Sequence, residues 1–392
     1  MDLYSALIKI DIQRASRGFL LSLASAALVL NLSTSWKIFG GVPLREAASR
    51  SLMAVNSSFF YDSGLSEPVP VAALKAGMLT GADPDRVVRA EGLAALAALF
   101  LATLFVLWKR YGDAAASMAA LFLAANPYAG YYAMQGASHL YALFFLLLFW
   151  HYFDSPEGGN RHAAFAGVAG GLACLSRLDS AWAMLIIAAL TLAVRRGGLD
   201  LKRAGLSLGL ALLLCLPYLA WQKSRYGSSM YSQEISLRRW DNVDRFGYAT
   251  GAKREQGPLR VTEFVFRNGA AGPLNDSFRG LGRALSYELP KTLYYKPLLV
   301  LVFLGVYAGF LRKKDRLLFL LAAVLLPVLP LAAINEVPSS GGIELSYYLQ
   351  TLWALCALAG LGLQETMSWL EESGIKWAAS LAERERKHGR KR

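Results

Sequence analysis

About ten apolar runs occupy most of this chain, divided by short basic stretches. The runs are continuous rather than alternating. In hydrocarbon a backbone N–H or C=O without a partner is too costly to leave exposed, so such a chain crosses a membrane as helices. The expected fold class is an all-α polytopic membrane protein with about ten transmembrane helices and further helices in extracytoplasmic loops. With 55% hydrophobic residues, the length of 392 does not imply two or three soluble domains.

The expected spans are 18–36, 90–108, 114–130, 138–153, 163–176, 181–194, 204–222, 297–311, 316–334 and 346–363. The third, fifth and sixth are shorter than the ~20 residues a crossing needs. Short or broken spans often border a water-filled cavity. Lys9, Arg14 and Arg17 precede the first run, which reads as a retained helix rather than a cleaved signal. With ten spans, the Lys/Arg-rich N-terminus, 109–113, 195–203, 312–316 and the tail all fall on one side. The positive-inside rule makes that side, with both termini, cytoplasmic. The polar segments 37–88, 223–294 and 335–345 then face outward. Residues 1–365 form the membrane domain, and 366–392 a basic amphipathic cytoplasmic tail attracted to anionic lipid.

The net charge of +13 does not point to nucleic acid, because much of the Lys/Arg lies in connectors and tail. The rest lies in 223–294, placed to meet anionic lipid or substrate phosphates. Cys174, Cys215 and Cys356 lie in or beside apolar runs and read as small buried residues. No Gly-rich nucleotide loop and no His-x-x-x-His pair is present. Sequons at Asn31, Asn56 and Asn275 are short matches without weight.

The order of segments resembles the GT-C class of integral-membrane glycosyltransferases, close to the protein O-mannosyltransferase and aminoarabinose-transferase type. The likeness covers roughly residues 15–365. "YDSGLSEPVPVAAL" resembles the first-loop stretch where a Glu and prolines precede an amphipathic helix. "GADPDRVVRAEGLAALAALF" and "MAALFLAANPYAGYYA" are similar to the second and third helices, and "SHLYALFFLLLFWHYF" to the fourth. "GGLACLSRLDSAWAML" resembles the fifth-to-sixth junction, and "IELSYYLQTLWALCALAG" the late helix that usually begins Arg-Tyr.

The resemblance implies transfer of a sugar from a polyprenyl phosphate to a hydroxyl of a glycan, lipid or protein on the outer face of a bacterial inner membrane. A carboxylate would serve as general base, and cations would stabilise the leaving phosphate. No cofactor is implied; a divalent metal is compatible with the chemistry but nothing indicates one.

The resemblance implies Glu46, Asp62 and Glu67 as the catalytic candidates. Glu46 occupies the place of the family's first-loop acid, although Arg45 precedes it where the family often has Asp. It also reads as a helix-face Glu paired with Arg50 four residues on. His139 and Tyr141 lie in "QGASHLY", either contacting substrate or marking a helix entry at the interface. Arg177 and Asp179, between two short helices, are the candidate phosphate contact, since paired charge beside a cavity is commonly functional. Tyr347 and Tyr348 reach a phosphate or anchor the last helix at the interface. A different class remains open: a non-catalytic or transport subunit, such as a flippase, of an envelope-polysaccharide assembly system. The absence of an internal repeat and the one-sided clustering of polar residues favour the transferase.

Overall fold

Helix covers the described part of each apolar run in a computed structural model of the chain. The structure describes the backbone of residues 3–41, 44–155, 158–194, 201–246, 255–266, 269, 271–312, 314–332 and 345–389. In order these are α1 (Leu3–Phe39), α2 (Arg45–Asn56), α3 (Pro68–Met78), α4 (Pro84–Tyr111), α5 (Asp113–Ala125), α6 (Pro127–Met134), α7 (Ser138–Phe153), α8 (Asn160–Ser176), α9 (Ser180–Val194) and α10 (Leu201–Tyr226). Then follow α11 (Tyr231–Phe246), α12 (Val261–Val265), α13 (Gly272–Arg283), a π-turn (Ala284–Glu288), α14 (Leu289–Leu293), α15 (Leu298–Arg312), α16 (Lys314–Ala332), a 3₁₀ turn (Leu345–Tyr348) and α17 (Leu349–Gly389). Among the described residues there is no strand.

Three segments are long and apolar enough to cross a membrane alone: Gly18–Phe39 of α1, α4 and α10. Counting each of two bent pairs as one crossing, α6 with α7 and Leu274–Leu293 with Leu298–Leu311, brings the number to as many as five among the described residues. The third expected span, 114–130, is not one helix. It stops at Ala125, and the chain turns into α6, which meets α7 at 113°.

The reason for that break is local. Pro127 has no N–H to give the preceding turn, so the end of α5 is left with unpaired carbonyls. Asn31, in the C-terminal third of α1, donates its Nδ2 to Ala124 O at 2.7 Å and Asn126 O at 2.8 Å. The Asn126 side chain accepts from Tyr128 N and donates to Leu293 O, tying the break to α14. The Asn31 sequon is therefore committed to the bundle interior. Asn31→Ala should cost about 1–3 kcal/mol by leaving two carbonyls without a donor, read as a lower melting temperature in detergent.

The main core joins α4, α5, α7, α15, α16 and α17 around buried Leu96, Leu99, Trp150, Leu320 and Trp353. A second core, around Phe149, Leu175 and Tyr218, joins α7 to α8, α9 and α10. The contact of α15 with α17 is close because both helices present glycine at the crossing. A Cβ on Gly305 would lie 1.9 Å from Leu358 O, and one on Gly362 2.0 Å from Leu301 O. Small residues that let backbones approach are the usual basis of helix packing in lipid, where the solvent is as apolar as leucine. Gly362→Val should destabilise the fold by about 1–3 kcal/mol through overpacking, seen as loss of monodisperse protein on size exclusion after mild heating.

The outer surface carries exposed Phe19, Val29, Leu30, Trp182, Leu212, Leu213, Phe303 and Phe310. So much large apolar surface suits a hydrocarbon environment and not water. At one end of the bundle Arg110 pairs with Asp154 and lies 4.0 Å over the Trp150 ring, joining the ends of α4 and α7. The opposite end carries the polar groups described next. α17 runs without a backbone break from the core into the basic tail.

Candidate functional site

The helices at that opposite end are broken, and the breaks place the polar side chains. α8 stops at Ser176, where Arg177 takes an extended backbone (φ −158°, ψ 119°) and its N–H closes the helix onto Ala173 O. α9 starts three residues later. Arg177 is thereby held at a helix junction, with Nε 3.0 Å from Asp179 Oδ1 and Nη2 also on Asp179. Its Nη1 points toward Ser138 Oγ, 3.5 Å away at the start of α7. The guanidinium carbon lies 5.1 Å from the Tyr347 ring centre. Asp179 engages the Nε–Nη2 edge, which leaves Nη1 on the Ser138 side.

His139 stands edge-to-face against Tyr347 with ring centres 4.8 Å apart, and Trp240 of α11 meets the same tyrosine at 5.1 Å. Among the described residues the buried Nε2 of His139 has no hydrogen-bond partner. Two guanidiniums, Arg177 and Arg50, lie within electrostatic reach of this ring. Arg50 comes from α2 and donates to Gly136 O at 2.6 Å. Gly136 takes φ +64°, and a Cβ there would lie 2.2 Å from a Val88 methyl, so the turn that opens α7 needs glycine.

Glu67 immediately precedes α3, with no side-chain hydrogen bond to the helix start, and Pro68 fixes the first helical position. Its Oε1 lies 3.4 Å from Gln233 Nε2 of α11. Burial raises the Glu67 carboxyl above the ordinary carboxylate range; the Arg177 and Arg50 charges pull it down, and Asp179 pushes it up. Glu67 thus lies within electrostatic reach of both guanidiniums. Ser66 O accepts from Tyr218 OH at 3.2 Å, which fixes this loop to α10.

The structure thus brings together Glu67, His139, Arg177, Asp179 and Tyr347. Tyr141 lies beside them, its hydroxyl 3.4 Å from Glu91 Oε2, a carboxylate that also feels Arg50. Two expected residues lie elsewhere. Asp62 accepts from Ser58 N and Ser58 Oγ, both at 2.9 Å, and so closes its own loop. Tyr348 is buried, with its hydroxyl on Glu288 of the π-turn. Glu46 sits in the first turn of α2, and its side chain lies outside the described residues.

The sequence reading missed Arg50 as a site cation, and Glu91, Gln233 and Trp240 altogether. Glu91 had a signal: an acid at the head of an apolar helix is a functional candidate by default. Gln233 and Trp240 had none, since only tertiary packing brings α11 over Tyr347.

Just inside the cluster is a small apolar cavity of about 40 Å³ between α7, α9, α16 and α17. Leu143, Ala183 and Gln350 line it, each one helical turn inward from His139, Asp179 and Tyr347 respectively. Its other walls include Trp150, Ile187, Phe319 and Trp353, and Gln350 is its one polar side chain.

The sequence matches no protein-family model and no curated protein. The reading of this site therefore rests on its own geometry. Among the described residues no group of three or more His, Cys, Asp and Glu side chains could hold a metal ion. The groups present can offer Arg177 Nη1 to an anion and a carboxylate at Glu67, above an apolar lining.

Proposed function

We propose that the chain is a multi-pass membrane glycosyltransferase of the GT-C kind. It moves a sugar from a polyprenyl-phosphate donor to a hydroxyl acceptor on the extracytoplasmic face of a bacterial inner membrane, with ten crossings and both termini in the cytoplasm. The observation that carries this reading is the stacking of two unlike environments. A cluster of cations and a carboxylate at one end of the bundle sits directly on an apolar cavity. A lipid-linked phosphate has that same division, a charged head on a hydrocarbon tail.

In this reading the isoprenoid runs along the apolar side chains of α7, α9, α16 and α17 beneath the cluster. The phosphate meets Arg177 Nη1, with Arg50 adding positive potential from α2. The acceptor oxygen attacks the anomeric carbon, the bond from that carbon to the phosphate oxygen breaks, and the phosphate leaves with the electron pair. Glu67 takes the acceptor proton. Arg177 and Arg50 stabilise the charge that builds on the leaving phosphate, an effect strengthened by low surrounding polarity. Asp179 holds the Arg177 guanidinium in place, and the ring of Tyr347 covers one face of it.

A transport subunit would need polar groups along a path through the bundle. The space beneath the cluster is apolar instead, which supports a lipid-tail site. The test is purified protein in nanodiscs with a panel of radiolabelled polyprenyl-phosphate sugars and envelope extracts as acceptors. Label should move from the lipid to the acceptor fraction. A panel in which no donor is consumed, by protein shown to be folded, overturns the reading.

A further inference from the structure

The segment Gly272–Lys296, at the same end of the bundle as the polar cluster, carries a second surface that the catalytic reading does not use. α13, the π-turn and α14 bend away from α15 by 111°. The bend passes through Tyr294 at φ +62°, a left-handed conformation that a bulky residue rarely adopts. One face of the segment is built into the bundle: Leu281, Ala284, Leu289 and Leu293 pack on the main core, and Ser277 Oγ bonds Leu329 O of α16. The other face leaves Leu274, Phe278, Leu285 and Tyr287 exposed, Phe278 to 69%.

The charges divide the same way. Both acids of the segment, Asp276 and Glu288, are buried, and Arg283 is paired with Glu288. Arg279 and Lys296 are exposed, and Lys291 stretches over the Tyr287 ring at 5.5 Å. The outward side is thus apolar and aromatic with positive charge alone. It continues directly into the exposed face of α15, where Val300, Phe303, Tyr307 and Phe310 need lipid as solvent.

We propose that Gly272–Lys296 is an interfacial anchor that lies in the outer leaflet and binds the phosphates of anionic phospholipids through Arg279, Lys291 and Lys296. The apolar face sinks to the level of the first acyl carbons, the tyrosines sit among the headgroups, and the cations reach outward. Basic residues beside a membrane surface gain from anionic lipid, and the acids that would oppose this gain are turned inside. The buried bond between Glu288 and the Tyr348 hydroxyl ties the anchor to the turn that carries Tyr347.

The test uses the full chain carrying Phe278→Cys labelled with bimane. The native cysteines Cys174, Cys215 and Cys356 are buried, so the label goes to the new thiol. The protein is placed in phosphatidylcholine nanodiscs, with or without phosphatidylglycerol, containing a headgroup-region nitroxide lipid. Expected are blue-shifted emission, quenching by the nitroxide, and stronger quenching when phosphatidylglycerol is added. The combined variant Arg279→Gln, Lys291→Gln, Lys296→Gln changes only outward side chains. It should keep the basal quenching and lose the increment. Water-like emission quenched only by aqueous iodide would mean that the face meets solvent or a protein partner, and overturns the proposal. An increment absent from the parent protein, or one that survives in the triple variant, overturns it equally.

Discussion

Replacing Glu67 by Gln is expected to lower sugar transfer by about 10²–10⁴-fold, the usual contribution of a general base, while leaving donor binding and the folded state intact. Glutamine keeps the shape and a contact to Gln233 but cannot take the acceptor proton. The pH profile supplies an independent check. Burial holds the Glu67 carboxyl above the ordinary carboxylate range. A base must be ionised, so kcat/KM should be low in acid and rise as pH passes through that raised value, later than for a solvated glutamate. Neighbouring charges set the direction of further shifts. Asp179→Asn removes a like charge and should move the rise toward lower pH, whereas Arg177→Gln removes an opposite charge and should move it higher. A profile unchanged in both variants would remove Glu67 from the role of base. Glu46→Gln serves as the comparison, because α2 also carries Arg50.

Arg177→Gln is expected to cost about 10²–10³-fold in kcat/KM, the scale seen when one preorganised group facing developing charge is removed. The neutral amide cannot offset the charge on the leaving phosphate, and the remaining cation, Arg50, is already engaged with Gly136 O. Arg177→Lys should recover little. The guanidinium uses one edge for Asp179 and turns the other toward Ser138, and an ammonium has no second edge. His139→Ala should have a smaller effect, seen mainly in KM, since its ring packs on Tyr347 beside the Arg177 guanidinium. Transfer rates at low donor concentration separate these cases. An Arg177→Gln enzyme with the parent rate would place the phosphate elsewhere.

The arrangement also accounts for the irregular backbone at this end of the bundle. Unpaired peptide groups are tolerated at membrane depth only where protein or water satisfies them. Asn31 and Asn126 do so at the break after α5, and Arg50 does so at Gly136.

Helicity and the positions of the apolar runs were legible in the one-dimensional pattern, and Arg177 and Asp179 stood out there as charge between two apolar segments, whereas Glu67 was a candidate only through the resemblance. Hydrocarbon forces continuous apolar segments into helices, and charge beside such a segment stands out locally. Span continuity was only partly legible: the run 114–130 shows its Asn126-Pro127 pair, but not that a distant amide, Asn31, makes the division there tolerable. The partners of the two adjacent tyrosines were not legible. Tyr347 joins His139, Trp240 and Arg177, while Tyr348 turns to Glu288, because successive residues of a tight turn point to different sides. Composition and periodicity determined what this protein is made of and which solvent it needs. Only the packing of α2, α3, α7, α8 and α11 around one end decided which charges face one another, because Coulomb interactions depend on distance in space and not on separation along the chain.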